Sequence, residues 1–110
     1  MMQGIWENCG AEIFYTKGGY LVEENFEVRM MGDALEVYTL GGPKNLVGFK
    51  GAVHGHEGHY RLQGVFGGSA TLHLCAESAL LEGSWEEHGQ QGMWRIYLGC
   101  SVPTYVGAAS

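Results

Sequence analysis

The chain has 110 residues, 45% of them apolar, and carries a net charge of −6 at neutral pH. This length supports a single domain over 1–110, and the apolar content excludes a disordered chain. The six Lys and Arg residues stand singly along the sequence. They therefore form no basic stripe for nucleic acid and no cationic face for an anionic membrane surface.

The first part of the chain has the pattern of strands separated by turn residues. Apolar residues occupy every second position near 25–31 and charged residues lie between them, which is the period of a half-buried strand. Gly32-Asp33 predicts a two-residue hairpin turn into a partner strand at 34–40. Earlier strands are expected at 3–8, 11–16 and 20–23, with 24–25 as either a bulge or a continuation.

Glycine-bearing turns also divide the second part of the chain. Residues 41–45 contain two glycines and a proline, which predicts a loop. Strands are expected at 46–54, 59–66, 70–75, 80–86 and 93–98. Between them, 76–79 is either a turn or one helical turn and 87–92 is a loop. Beyond 98 we expect a frayed tail, 99–110, with an edge strand at 104–106.

This spacing predicts an all-β fold, an antiparallel up-and-down meander of about eight strands closed into a small barrel. Eight strands enclose an interior just wide enough for side chains or one small ligand. Closure also removes the edges that a flat sheet would expose. Three glycines at inward positions, Gly51, Gly64 and Gly83, fit sharply coiled strands and are expected to leave space inside.

Short tryptophan-bearing motifs resemble those of the calycin-type barrels, which include lipocalins and avidins. Gly4-Ile5-Trp6 is similar to the Gly-X-Trp of their first strand, and Trp85 and Trp94 lie in segments that resemble later strands of the avidin-like members. The resemblance implies an up-and-down barrel holding a small, largely apolar ligand. By analogy with lipocalins, it also implies that Arg95 packs over Trp6.

Aromatic residues at inward positions predict the wall of an interior pocket for a small apolar or aromatic molecule, bound without a cofactor. The alternative is that the same rings form an ordinary filled core. If the strand register is shifted from the predicted one, Arg95 or His73 would stand near the mouth of such a pocket. The predicted ligand-binding residues are Trp85, Trp94, Phe49, Tyr60, Phe66, Trp6 and Arg95.

The sequence HGHEGH places three histidines, His54, His56 and His59, around a tight hairpin together with Glu57. In such a hairpin His54 and His59 would be cross-strand neighbours. Imidazoles with a carboxylate can bind zinc or nickel and leave a position open for water, which would suit a metal-dependent enzyme. The alternative is a solvated hairpin tip, because the spacing is not that of a helical HExxH site.

A further hypothesis is a protein-interaction or homo-oligomeric module with a filled core and no enzymatic activity. Tyr38, Leu40 and Tyr97 are expected to face outward beside Met31, and an exterior apolar patch of this kind predicts a homodimer.

The cysteines and the termini bear on the compartment. Three cysteines without CxxC spacing predict reduced thiols, and we see neither a signal peptide nor an apolar run long enough to span a membrane. A cytoplasmic protein is therefore expected.

Overall fold

Eight antiparallel strands close into one barrel in a computed structural model that describes residues 3–39 and 46–103. Each strand pairs with the next in the chain, and the last pairs with the first, so the predicted up-and-down barrel is confirmed. A single 3₁₀ turn at Ala76–Ser78 precedes the seventh strand. The strands are β1 (Gly4–Tyr15), β2 (Tyr20–Met31), β3 (Ala34–Thr39), β4 (Leu46–Val53), β5 (His59–Gly64), β6 (Ser69–Cys75), β7 (Leu80–Glu87) and β8 (Gln90–Tyr97).

The first two strands are longer than the sequence pattern predicted. β1 and β2 each contain 12 residues, so the expected break between 8 and 11 is wrong. The register of the pair shifts twice, once near Asn8 and once near Asn25, where φ is 56° and 69° respectively. Asparagine tolerates this left-handed conformation better than most residues, so each strand takes up a bulge without ending.

Two-residue turns mark where several of the other strands begin and end. Gly32-Asp33 forms the predicted two-residue turn, with Met31 opposite Ala34. The six-residue loop expected at 87–92 is wrong, because Glu87 pairs with Gln90 and only two residues remain in the turn. The loop predicted at 41–45 and the edge strand predicted at 104–106 lie outside the described residues.

The interior of the barrel is built from inward-facing residues of all eight strands. Alternation correctly placed the apolar positions of β2 and β3 inside, where Val28, Met30, Leu35 and Val37 have no exposed surface. Buried side chains of the later strands complete the core, among them Leu62, Leu72, Leu81, Trp85, Trp94 and Ile96.

The inward glycines do not leave the empty space that the sequence suggested. A Cβ atom on Gly83 would overlap the carbonyl oxygen of Thr71 on the neighbouring strand, so backbone already occupies that position. The indole of Trp94, which is opposite Gly83 in the register, donates its N–H to the same carbonyl at 3.2 Å. At Gly64 the overlap would be with the carbonyl of Gly67, and a ring carbon of Phe49 would lie 3.2 Å from the added Cβ. These glycines allow close strand approach, and aromatic rings cover them.

Candidate functional site

Four of the predicted ligand-binding aromatics are buried in the core. Trp85, Trp94, Phe49 and Tyr60 all belong to the central apolar cluster. Phe49 meets Trp94 edge to face with ring centroids 5.2 Å apart. The indole of Trp85 donates to the carbonyl of Met93 at 3.2 Å. Because the indole of Trp94 is also bonded, both indole N–H groups are satisfied by backbone within the barrel.

The other two aromatics are placed differently. Phe66 was expected inward, but 67% of its surface is exposed. β5 ends at Gly64, so the alternation of that strand no longer determines the direction of Phe66. Trp6 is partly buried against the core, and a Cβ on either Gly4 or Gly99 would lie 3.5 Å from its ring.

Arg95 lies on the outer surface of the barrel, away from Trp6. In the register of β1 and β8 it is opposite Glu12, so the packing over Trp6 that the lipocalin resemblance implied is wrong. Its Nε donates to Oε2 of Glu82 at 2.8 Å, and its guanidinium lies 5.9 Å from the ring centroid of Phe14. The bond to Glu82 is the main cause that raises the pKa of Arg95.

Two adjoining concave surfaces lie at the end of the barrel where the β1–β2 and β7–β8 turns meet. We call the first, of about 350 Å³, the tip cleft, and the second, of about 490 Å³, the tip groove. Three residues line both, Thr16, Glu86 and Gln91. The tip cleft is also lined by Tyr15, Lys17, Gly18, Gly89 and Gln90, and the tip groove by Arg61, Ser69, Ala70, Thr71, Ser84, Trp85 and Gly92.

Backbone pairing holds the two hairpins together beneath the tip cleft. Tyr15 is opposite Gly92 in the register, and the N–H of Thr16 donates to the carbonyl of Gln91 at 2.9 Å. Since Gly92 has no side chain, the ring of Tyr15 reaches across it to Trp85, edge to face at 5.1 Å. The strand prediction for 11–16 did not single out Tyr15. The sequence signal that would have placed Tyr15 on the inner face is its alternation with Ala11 and Ile13 along the strand.

His54 and His59 are cross-strand neighbours, as predicted, but the imidazole ring nearest to His59 belongs to His73. His54 and His59 are joined through the backbone, with the His54 N–H donating to the His59 carbonyl at 2.8 Å. The ring of His59 lies 5.9 Å from that of His56 but only 4.2 Å from that of His73 on β6. In the described part of the chain, no group of three or more His, Cys, Asp or Glu side chains is placed to hold a metal ion.

Comparisons with protein-family models, curated proteins and solved structures find no match to this chain. Within residues 3–39 and 46–103, no helix has the length and hydropathy needed to cross a membrane. All three cysteines are free thiols, with Cys9 buried and Cys100 exposed.

Proposed function

We propose that this protein is a non-enzymatic binding module that takes a small molecule with an apolar or aromatic body at the tip cleft and tip groove. The observation that carries the proposal is the Tyr15–Trp85 ring pair, which lies where the two surfaces adjoin. Small-molecule sites commonly enclose about 300–1,000 Å³ and combine aromatic walls with a few polar groups.

The polar residues at this end suit a ligand with a polar terminus. Thr16 contributes a hydroxyl and Gln91 an amide, both on the boundary between cleft and groove. Lys17 and Glu86 add one positive and one negative side chain to the lining of the tip cleft. An apolar body would rest against the ring of Tyr15, while its polar end would bind these donors and acceptors.

This proposal moves the ligand from the centre of the barrel to its end. The core aromatics Trp94 and Phe49 then pack inside the barrel, and Tyr60 lies beside the β4–β5 hairpin at the opposite end. Direct ligand contact by these three residues or by Trp6 stays a prediction. The closed eight-stranded barrel is compatible with a calycin-type protein, and we include that relationship in the proposal.

The test uses 8-anilinonaphthalene-1-sulfonate, an anionic aromatic dye, titrated while dye and tryptophan fluorescence are recorded. We expect saturable binding of one dye per chain with quenching of tryptophan emission. Tyr15→Ala should weaken binding about tenfold, the loss of one buried aromatic contact. Tyr38→Ala, a tyrosine on the outer face beside Arg29, is the matched control and should bind normally.

Two results would refute this location. One is equal binding by Tyr15→Ala and the unsubstituted protein. The other is an equal loss in Tyr15→Ala and Tyr38→Ala. Because removal of the Tyr15 ring also affects packing against Trp85, Gln91→Ala provides a second variant on the exposed boundary of the cleft. It should weaken dye binding without lowering the midpoint of thermal unfolding.

An outer apolar strip favours a second candidate function, self-association. Phe14 on β1 is opposite Tyr20 on β2 and Met93 on β8, so the three side chains form one row across three strands. Tyr20 and Met93 are both more than half exposed. A row of exposed apolar side chains suits an interface between two copies of the chain.

Charge substitutions at two methionines distinguish this strip from the patch that the sequence predicted. Met93 is 52% exposed and Met31 54% exposed, and Met31 lies at the opposite end of the barrel. If the strip is the interface, Met93→Lys should convert a dimer to a monomer in light scattering, while Met31→Lys should not. A monomeric unsubstituted protein would exclude self-association through either surface.

A further inference from the structure

We infer that His59 and His73 form a two-histidine site for a divalent transition-metal ion on the outer surface of the barrel. The two residues lie directly opposite each other on β5 and β6. Their ring centroids are 4.2 Å apart with the planes tilted by 52°. Both side chains are exposed, so an ion can reach them from solvent.

The backbone fixes how closely the two histidines approach. Gly58 and Leu74 are the residues next to His59 and His73 along the two chains. The N–H of Leu74 donates to the carbonyl of Gly58 at 2.8 Å, so Gly58 and Leu74 form a hydrogen-bonded pair. Hydrogen-bonded and non-hydrogen-bonded pairs alternate along an antiparallel ladder, so His59 and His73 form a non-hydrogen-bonded pair. Side chains in such pairs are the closest in a sheet, with Cβ atoms about 4.5–5.5 Å apart.

The chemistry of the pair suits Zn²⁺, Ni²⁺ or Cu²⁺. Neutral imidazole is a preferred ligand of these ions, and each bond to nitrogen is about 2.0–2.1 Å for zinc. Small rotations of two exposed rings bring one nitrogen of each to a common ion, and water completes the coordination. The net charge of −6 favours an incoming cation.

A carboxylate stands on the far side of His73. Glu82 on β7 is opposite His73 in the register, and its Oε2 accepts a hydrogen bond from Arg95. A carboxylate beside a metal-binding histidine commonly orients the ring and raises its basicity. His59, His73 and Glu82 therefore lie in one row across three strands, in which the carboxylate of Glu82 is placed to orient the ring of His73.

This ligand pair differs from the hairpin set HGHEGH. His56 is farther from His59 than His73 is, and the bond between His54 and His59 is made by backbone atoms. The hairpin supplies one ligand, His59, and a strand 14 positions later supplies the other. With two protein ligands, the site should bind more weakly than a closed four-ligand zinc site.

The test is a titration of untagged full-length protein, stripped with a chelator, with Ni²⁺, Cu²⁺ or Zn²⁺ in calorimetry and thermal unfolding. We expect one ion per chain and a rise in the unfolding midpoint, because the ion binds the paired strands of the folded state. His73→Gln should weaken binding by at least about tenfold and remove the rise.

Three further variants make the test specific. His59→Gln should behave like His73→Gln, whereas His54→Gln and His88→Gln should bind like the unsubstituted protein. The inference is wrong if His73→Gln binds as well as the unsubstituted chain. It is also wrong if His54→Gln loses as much affinity as His73→Gln, which would assign the ion to the hairpin. Unfolding of each metal-free variant at the unsubstituted midpoint shows that the fold is kept.

Discussion

Tyr97 donates a hydrogen bond of 2.5 Å to Oε1 of Glu12, a residue 85 positions earlier in the chain. The other carboxylate oxygen of Glu12 accepts from Tyr20 at 2.7 Å. One carboxylate thus connects β8, β1 and β2 where the barrel closes. Tyr97 was expected on an exposed apolar patch, but it is 9% exposed and Glu12 only 7%.

Glu12→Ala should destabilise the barrel strongly. The substitution removes the carboxylate that accepts hydrogen bonds from the hydroxyls of Tyr20 and Tyr97, and Tyr97 is a largely buried residue. Loss of a buried hydrogen-bond partner costs about 1–3 kcal/mol. The free energy of unfolding from urea titrations measures the cost. Glu86→Ala, an exposed glutamate on β7, is the control and should change stability little.

Gly83→Ala should cost about 3 kcal/mol, because the new methyl group would overlap the carbonyl of Thr71. It should also alter the emission of Trp94, whose indole is bonded to that carbonyl. Gly18→Ala is the comparison, with φ at 97° and nothing within 4 Å of the added atom. There only backbone strain of about 1 kcal/mol is expected. Equal costs at the two glycines would contradict close strand approach.

His88→Asn should stabilise the protein by about 0.5–1 kcal/mol. His88 and Gly89 form the β7–β8 turn with φ of 52° and 79°. Asn-Gly is the preferred pair for a two-residue turn of this kind, whereas histidine is strained there. The midpoint of thermal unfolding should therefore rise. His54→Asn, outside this turn, is the matched control, and a similar rise in both variants would argue against relief of turn strain.

Stability should fall at alkaline pH. Burial is the main cause that raises the pKa of the Cys9 thiol and that of the Tyr60 phenol above the ordinary values of these groups, about 8.5 and 10. The folded chain therefore keeps protons that the unfolded chain has already released. Their contribution to stability is complete below the unfolded pKa and is lost as the pH rises through the folded value.

Urea unfolding at a series of pH values from neutral upward measures this loss. The free energy of unfolding should decline above about pH 9, first through Cys9 and then through Tyr60. The double variant Cys9→Ala, Tyr60→Phe should show a flatter profile. An unchanged decline in that variant would assign the effect to other groups.

Local patterns in the sequence were sufficient for the barrel and for most of its inward faces. Alternation predicted the buried positions of β2 and β3, and Gly32-Asp33 predicted its turn, because both depend on near neighbours in the chain. The same reasoning failed at Phe66, where alternation was extended past the end of β5.

Relationships between distant strands could not be derived from local patterns. The contact of His59 with His73 and the bond of Tyr97 to Glu12 depend on the register between strands, which many separate pairings set together. Similarly, an inward glycine is compatible with either an empty space or a close approach. Only the position of the neighbouring strand, as at Thr71 and Gly83, decides between them.

The pairing of the first strand with the last also governs how the chain can fold during translation. Half of β1, from Gly10 to Tyr15, has its second neighbour in β8, so one side of β1 stays unsatisfied until β8 has left the ribosome. Such non-local pairing is slow, on the order of milliseconds to seconds. The nascent chain therefore presents two open strand edges until β8 has been synthesised.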